Sequence, residues 1–407
     1  MGCVKEENTL VDGQLVTQIT PLWRTSLTSD QSELLSVSLY PPVVYNGNVL
    51  IGKLDENGPS FAMLNGKTGE IAWEWNDFFT RDLRKNLFIP SSYQFENLLT
   101  VSIGSNQYSI DLTDGTTIDR RDFDRNMAHL TGVGPRYFAS ASSDVSPTAY
   151  RGQIYTADLR DLSTEDTLIV PNYVNTSETA PEGGRIGLTG VPYPFIDESG
   201  DTMISYTYDN SIDIYTVNAF SGLYNYSKRE HVYQDDPYEE GTYLNANGPF
   251  SIYNNQLKYH YARGGILCTY LYSNRVAWSR EFSNLFFISG FEIFDDILVA
   301  NNEDTYLYGL SPISGRQLWK TKASGTSSEM QYLNGVVYFV GGGDGLLHAV
   351  DIQTGKHLWK VRSPDLDRNS GAWFDRKVTV VPPGPGQEKG TVVVNSYIAA
   401  MAFEAAR

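Results

Sequence analysis

Residues 348–359 read His-Ala-Val-Asp-Ile-Gln-Thr-Gly-Lys-His-Leu-Trp, and this stretch decides the fold because it recurs. Aligned on the final Trp, residues 62–73 read Ala-Met-Leu-Asn-Gly-Lys-Thr-Gly-Glu-Ile-Ala-Trp and residues 308–319 read Tyr-Gly-Leu-Ser-Pro-Ile-Ser-Gly-Arg-Gln-Leu-Trp. Weaker copies occupy residues 108–119 and 215–226. Each strong copy predicts a strand, a tight turn in which Gly adopts positive φ, and a second strand with a large aromatic residue four positions after that Gly.

A second hairpin signal lies upstream of each strong copy. Residues 42–51 and 331–340 carry Asn-Gly between apolar runs, and residues 291–300 carry Asp-Asp at the same place. Asn-Gly between apolar runs is the strongest short-range signal for a β-hairpin. One repeat unit therefore holds four antiparallel strands.

The spacing of the turn glycines gives the number of units. The average is roughly 48 residues per unit, which is typical of propeller blades. The last unit, residues 378–403, lacks its outer strand, and residues 21–25 (Pro-Leu-Trp-Arg-Thr) read like the missing piece. We therefore predict an all-β, eight-bladed β-propeller of four-stranded antiparallel blades over residues 21–407, with the last blade closed by the N-terminal strand.

The repeated aromatic residues and glycines have a structural interpretation. A large ring next to a turn that only Gly fits would dock one blade on the next. The residues to which we assign this role are Trp23, Trp73, Tyr226, Trp278, Trp319, Trp359, Gly69, Gly115, Gly222, Gly315 and Gly355.

The composition excludes several classes of function. The 407 residues carry a formal net charge of −17, which disfavours binding to nucleic acid. Cys3 and Cys268 are the only cysteines, so neither a disulfide framework nor a Cys-based zinc site is expected, and Cys268 is interpreted as a small buried hydrophobe. The five histidines show no metal-ligand spacing, and no apolar stretch reaches the ~20 residues of a membrane-spanning helix.

Acidic clusters do not predict catalysis. Asp365, Asp367 and Asn369 are spaced like calcium ligands, but the pattern lacks the Gly and Glu positions of an EF-hand and is interpreted as a solvated loop. The pairs 235/236, 239/240 and 295/296 are adjacent in sequence, so on a strand their carboxylates would point to opposite faces. We expect no catalytic residues, no cofactor and no metal site.

One connector is longer than a tight turn requires. It runs from residue 233 to residue 243 and is acidic and rich in Tyr. It is either a solvated loop or a loop that binds a partner or stacks on sugars. Its candidate binding residues are Tyr233, Asp235, Asp236, Tyr238, Glu239 and Tyr243.

The Ala-x-Asp-x-x-Thr-Gly-x-x-x-Trp pattern at 349–359, echoed at 65–73 and 311–319, resembles the repeat of the pyrroloquinoline-quinone-like (PQQ-like) eight-bladed β-propellers. The resemblance covers residues 20–407. One branch of that family consists of quinone-dependent dehydrogenases, which are longer and in many members carry a vicinal Cys pair that this chain lacks. The other branch is non-catalytic and includes propeller lipoproteins of the outer-membrane β-barrel assembly machinery. The length and the missing cofactor residues place the chain nearer the second branch.

The N-terminal residues resemble a targeting signal. Gly2-Cys3 resembles the end of a bacterial lipobox, with Cys3 as the lipidated residue of a tether over residues 1–20, in which residues 8–20 have no predicted structure. Lys5, Glu6 and Glu7 resemble the surface-export signal of Bacteroidota lipoproteins, or are a solvated charged segment. Met-Gly-Cys also begins myristoylated proteins, but the myristoylation motif has Ser or Thr at the position of Glu6.

These observations together predict a non-catalytic binding scaffold anchored to the outer membrane. It would face the cell surface, with the periplasmic face as the alternative, and serve as an accessory subunit of an outer-membrane protein complex built on a β-barrel. A cell-surface glycan-binding protein is the alternative function, and a quinone-dependent dehydrogenase is the third. The acidic balance predicts partners with basic or neutral patches.

Overall fold

A computed structural model describes most of the chain. The described residues are 7–11, 14–28, 42–55, 58–78, 91–103, 105–123, 127–146, 149–176, 192–197, 199–207, 213–218, 230–231, 251–254, 256–262, 265–271, 275–282, 290–325 and 328–407. Over these ranges the structure is all-β, with 34 strands and one short 3-10 helix, η1 (Pro364–Asp367). No helix in the described ranges has the length and apolar character needed to cross a membrane.

The strands are short and follow one another along the chain. The first nineteen are β1 Glu7–Val11, β2 Gln14–Gln18, β3 Trp23–Ser26, β4 Val43–Tyr45, β5 Asn48–Asp55, β6 Gly58–Asn65, β7 Ile71–Trp75, β8 Ser91–Phe95, β9 Leu98–Ile103, β10 Asn106–Asp111, β11 Thr117–Asp122, β12 Met127–Val133, β13 Arg136–Ser146, β14 Ala149–Asp158, β15 Asp161–Thr176, β16 Tyr193–Ile196, β17 Thr202–Thr207, β18 Asp213–Asn218 and β19 Glu230–His231. The remaining strands are β20 Ser251–Tyr253, β21 Leu257–Ala262, β22 Gly265–Tyr270, β23 Val276–Glu281, β24 Phe291–Phe294, β25 Ile297–Asn302, β26 Tyr306–Leu310, β27 Gln317–Lys322, β28 Gln331–Leu333, β29 Val336–Val340, β30 Leu347–Asp351, β31 His357–Val361, β32 Phe374–Val381, β33 Thr391–Ser396 and β34 Ala399–Glu404.

In the described part of the chain these strands form eight four-stranded antiparallel sheets and one two-stranded hairpin. Seven sheets use four consecutive strands each, from β4–β7 through β28–β31. The eighth has the order β3-β34-β33-β32. The all-β prediction is confirmed, and the count of eight blades stays a prediction.

The chain divides into two compact units. The first contains the described residues within Met1–Ile89, Thr113–Gly115 and Phe282–Arg407, and thus the β1–β2 hairpin and four of the sheets. The second contains the described residues within Pro90–Leu112 and Thr116–Glu281, and thus the sheets β8–β11, β12–β15, β16–β19 and β20–β23.

The predicted hairpin turns are present. Asn46-Gly47 and Asn334-Gly335 have positive φ at both residues, which is the type I′ geometry that suits the twist of a hairpin. Asp295 and Asp296 adopt the same geometry, with φ values of 45° and 59°. Asp tolerates this region because its short polar side chain bonds locally.

The core lies between consecutive sheets. In the first unit, buried side chains of β24–β27 pack on β28–β31, those of β28–β31 pack on β32–β34, and those of the last sheet pack on β4–β7. In the second unit, β8–β11 packs on β12–β15 in the same way. Middle strands such as β29 and β33 are buried along their whole length because both of their faces are covered. Face-to-face packing of successive four-stranded sheets is the packing of propeller blades.

The N-terminal strand completes the last sheet, as predicted. β3 pairs antiparallel with β34, with Trp23 opposite Ala402 and Ser26 opposite Ala399. Arg24 of β3 adds an ion pair to the buried carboxylate of Asp365, with 2.8 Å between Nε and Oδ1. The strand therefore closes a sheet edge that would otherwise be exposed.

The prediction that residues 8–20 lack structure is wrong. β1 and β2 form a hairpin, and β2 lies against β31, with Val16 and Thr17 buried. The sequence signal that predicts this is Asp12-Gly13 between apolar pairs, which is the same kind of turn signal as Asn-Gly.

Candidate functional site

Two loops of the first unit come together at one end of the sheet β28–β31. The loop of residues 341–346 joins β29 to β30, and the connection of residues 362–373 joins β31 to β32. Trp373 of the connection lies on Gly345 of the loop: a Cβ placed on Gly345 would be 2.5 Å from Cε3 of the indole. Trp373 is 43% exposed, so it is a large apolar residue held against the backbone and still open to solvent.

The connection is fixed by buried polar contacts. Asp365 is 1% exposed, accepts from Arg24 Nε at 2.8 Å and from Ser396 Oγ at 2.7 Å, and lies in η1. Asp367 instead pairs with Arg362 at 2.9 Å at the surface. Asp365 and Asp367, although spaced like calcium ligands, therefore pair with different cationic side chains. The interpretation of the segment as a solvated loop is wrong for Asp365, because its carboxylate is buried.

Arginine accompanies the exposed indole on the same connection. The side chain of Arg368 is 57% exposed and lies 3.7 Å from Asp365 Oδ1. Exposed Trp and Arg on a rigid support are the residue types that dominate the energetics of protein interfaces. We call Trp373, Arg362 and Arg368 the 362–373 surface.

A buried hydrogen-bond chain lies under the 341–346 loop. His348 Nε2 is 3.2 Å from each carboxylate oxygen of Asp344, and His348 Nδ1 is 3.0 Å from His357 Nε2. At the far end His357 Nδ1 is 3.4 Å from Thr321 Oγ1. The ring of His348 is fully buried and stacks on Phe339 with 4.7 Å between centroids.

The carboxylate of Asp344 decides which atom donates in each hydrogen bond of this chain. Burial would raise the pKa of Asp344, but hydrogen bonds from His348, the Leu346 amide and Ser324 outweigh it and lower that pKa. Burial lowers the pKa of His348 and lowers that of His357 to about 3, so both rings are neutral at pH 7. A neutral His348 that donates from Nε2 must accept at Nδ1, so His357 donates to it and accepts from the Thr321 hydroxyl.

This chain of hydrogen bonds holds the loop in place. Gly341 leaves no room for a side chain, since a Cβ there would be 2.5 Å from Ser324 Oγ and closer still to Asp344. The spacing of the histidines along the sequence does not predict that His348 and His357 form a pair, because the two residues lie on neighbouring antiparallel strands. In the register His348 faces Lys360 and Val350 faces His357, which makes the histidines diagonal neighbours on one face.

Two aromatic–glycine contacts join neighbouring sheets of the first unit, and a third also lies within that unit. A Cβ on Gly115 would be 2.6 Å from Trp73. A Cβ on Gly69 would be 2.5 Å from the Trp23 ring, and one on Gly355 would be 2.6 Å from Trp319. Trp23 Nε1 also donates to the Gly66 carbonyl at 2.9 Å, and Trp319 Nε1 donates to the Ile352 carbonyl at 2.7 Å. Each of these rings thus covers the turn of the following sheet.

The remaining predicted residues are placed as follows. Trp359 packs against Tyr338 at a centroid distance of 5.7 Å, Trp278 against Tyr259 at 5.9 Å, and Gly315 has a φ of 64°. Cys268 is fully buried, and burial raises the pKa of its thiol to about 12. Glu7 lies in β1.

Several predicted residues lie outside the described residues. They are Cys3, Lys5, Glu6, Gly222, Tyr226, Tyr233, Asp235, Asp236, Tyr238, Glu239 and Tyr243. Among the residues that are described, no group of three or more His, Cys, Asp and Glu side chains is arranged to hold a metal ion.

Comparisons with known structures show the fold. The chain superposes on Sqt1 from Saccharomyces cerevisiae with a TM-score of 0.66 at 9% identity, covering 95% of this chain and 98% of that one. A europium-containing methanol dehydrogenase gives 0.63 at 11% identity, covering 92% of this chain and 84% of the other. BamB from Moraxella catarrhalis gives 0.53 at 12% identity, covering 95% and 98%.

Comparison of the sequence is more restricted. No curated protein matches the chain. Residues 262–395, about a third of the chain, match the family described as outer membrane protein assembly factor BamB. The chain is therefore a β-propeller with PQQ-like repeats, and the repeats in residues 262–395 are similar to those of that assembly-factor family.

Proposed function

We propose that this protein is a non-catalytic scaffold that binds partner proteins as an accessory subunit of an outer-membrane protein complex. The observation that carries the proposal is the match of residues 262–395 to the family of outer membrane protein assembly factor BamB. These residues include the sheets β24–β27 and β28–β31 and the 341–346 loop.

The 362–373 surface supports this role. Trp373 is 43% exposed yet held on Gly345, so its conformational entropy is already low before a partner binds. Arg362 and Arg368 lie on the same connection, which the buried Asp365 anchors. The hydrogen-bond chain through His348 keeps the adjacent loop rigid, which is a positioning role and requires no chemistry.

Anchoring through Cys3 is part of the same proposal. Gly2-Cys3 reads like the end of a lipobox, and Lys5-Glu6-Glu7 reads like a surface-export signal. A lipid on Cys3 would hold the scaffold at the outer membrane, on its outer face.

The test is a mild-detergent purification of the lipidated full-length protein from its native membrane, with mass spectrometry of the proteins recovered. We expect a stoichiometric outer-membrane protein, lost with Trp373→Ser and retained with Ile313→Ser, since Ile313 is 68% exposed on a different turn. Recovery of the bait alone from cells that express its neighbouring genes would reject the scaffold role.

A further inference from the structure

The sheets β24–β27 and β28–β31 end in outer strands of nearly the same sequence. β27 reads Gln-Leu-Trp-Lys-Thr-Lys from residue 317, and β31 reads His-Leu-Trp-Lys-Val from residue 357. Each is the last strand of its four-stranded sheet, so each offers an edge. The two edges are covered very differently.

The chain covers the edge of β31 with its own N-terminal hairpin. β2 lies against β31, and Ile19, which follows β2, packs on the same core as Leu358. Val16 and Thr17 of β2 are buried. β2 is not part of the β28–β31 ladder.

The effect of that cover appears residue by residue. Along β27 the burial runs exposed, exposed, buried, exposed, half-buried over residues 317–321. Along β31 it runs half-buried, half-buried, buried, half-buried, buried over residues 357–361. Only the Trp is equally buried in both strands, because it faces the next sheet and not the edge.

We propose that the outer edge of β27 is a docking site for an acidic, amphipathic β-hairpin of a partner protein, seated as β1–β2 is seated on β31. Leu318 is 42% exposed and occupies the position of Leu358. The flanking cations Lys320 and Lys322 are exposed, and Lys320 Nζ lies 3.7 Å from the centroid of the Tyr306 ring. An occupant would place apolar side chains on Leu318 and carboxylates beside these lysines.

The chain itself provides the probe. Residues 7–20 read Glu-Asn-Thr-Leu-Val-Asp-Gly-Gln-Leu-Val-Thr-Gln-Ile-Thr, with two carboxylates and no cation. A backbone-cyclised, fluorescent peptide of residues 7–20 would be titrated into the full-length protein, since cyclisation removes the cost of ordering the hairpin. We expect saturable binding that weakens with added salt.

Matched variants locate the site. We expect Leu318→Arg to weaken peptide binding by at least about tenfold, and Lys320→Glu to weaken it and reduce its salt dependence. Ile313→Arg, at the exposed turn of the same β-hairpin, should bind like the unmodified protein. All of these side chains are at the surface, so unchanged melting temperatures would show that folding is intact.

Three results would overturn the proposal. They are no saturable binding, binding that Leu318→Arg does not weaken, and binding lost in Leu358→Arg instead, which would mean that the peptide displaces β1–β2 from β31.

The inference rests on the proposed scaffold role, and the two fail separately. If the peptide binds at Leu318 but the membrane purification recovers no partner, the docking site stands and the scaffold role falls. If a partner is recovered but neither it nor the peptide responds to Leu318→Arg, the scaffold role stands and this docking site falls.

Discussion

The sheets β24–β27 and β28–β31 are two copies of one repeat, and the residues at which they differ separate the fold from its local adaptations. Both place an Asp four residues before a polar ring: Tyr308 donates to Asp304 in one, and His348 donates to Asp344 in the other. The Asp–ring pair is therefore part of the repeat, since it fixes the loop between the second and third strands in both sheets.

What the second sheet adds is His357, which stands where the first has Gln317. His357 extends the pair into a chain that reaches Thr321 of the neighbouring sheet. The same second sheet also has its outer edge covered by β2, while four of the six residues of β27 are exposed. The same repeat therefore forms one sheet whose outer edge is covered and whose histidines bond to the neighbouring sheet, and another sheet whose outer edge is exposed. The difference lies in a few side chains and one added hairpin.

The largest expected effect concerns the turn under Trp319. Gly355 has a φ of 68°, and a Cβ there would be 2.6 Å from the indole. Gly355→Ala therefore has two costs: the ~1–2 kcal/mol of placing a side chain at positive φ, and the displacement of the buried Trp319 ring. We expect a loss of roughly 2–5 kcal/mol in the free energy of unfolding. Chemical denaturation of the full chain measures it.

Gly335→Ala is the matched control in the same sheet. Its φ is 76°, but the nearest atom to a Cβ is Arg407 Nη1 at 3.5 Å. We expect only the backbone cost of about 1–2 kcal/mol. Equal losses for the two variants would show that the Trp319 contact does not contribute to stability.

How far the sequence predicts the fold depends on whether the signal is local. The turn glycines and the Asn-Gly pairs predict hairpins correctly because each acts within a few residues, and the repeat then predicts the pairing of β3 with β34. The site on residues 341–373 was not predicted. Its parts, Trp373 on Gly345 and His348 beside His357, are brought together by strand register and loop packing, which no local pattern encodes.

The histidine chain predicts a pH dependence that separates the two sheets. Because the folded protein keeps His357 neutral down to about pH 3 while the unfolded chain binds a proton near pH 6.5, the unfolded state holds more protons between these values. Stability is therefore expected to fall as the pH falls from 6.5 toward 3, by at most about 1.4 kcal/mol per pH unit for each histidine. His348, whose pKa burial also lowers, acts in the same direction.

The double variant His348→Tyr, His357→Gln gives the second sheet the residues of the first. Asp344 keeps a hydroxyl donor, as Asp304 does, but the proton-linked loss disappears. Between pH 6.5 and 4.5, unfolding experiments should show a shallower decline for the variant than for the unmodified protein. Parallel curves would mean that these two histidines are not kept neutral by the fold. His260 does not affect the comparison, because it is unchanged in both proteins.

The smallest expected effect concerns the edges. Leu318→Ser removes a side chain that is 42% exposed and should change the free energy of unfolding by less than about 0.5 kcal/mol. Leu358→Ser removes the equivalent side chain, which packs on the same core as Ile19, and should lower the free energy of unfolding by about 1–2 kcal/mol. Because the two leucines hold the same position in the same repeat, the difference between the two losses measures what the N-terminal hairpin contributes to β31. A loss at Leu318 as large as that at Leu358 would mean that the edge of β27 is already covered, and that the first sheet is no more open to a partner than the second.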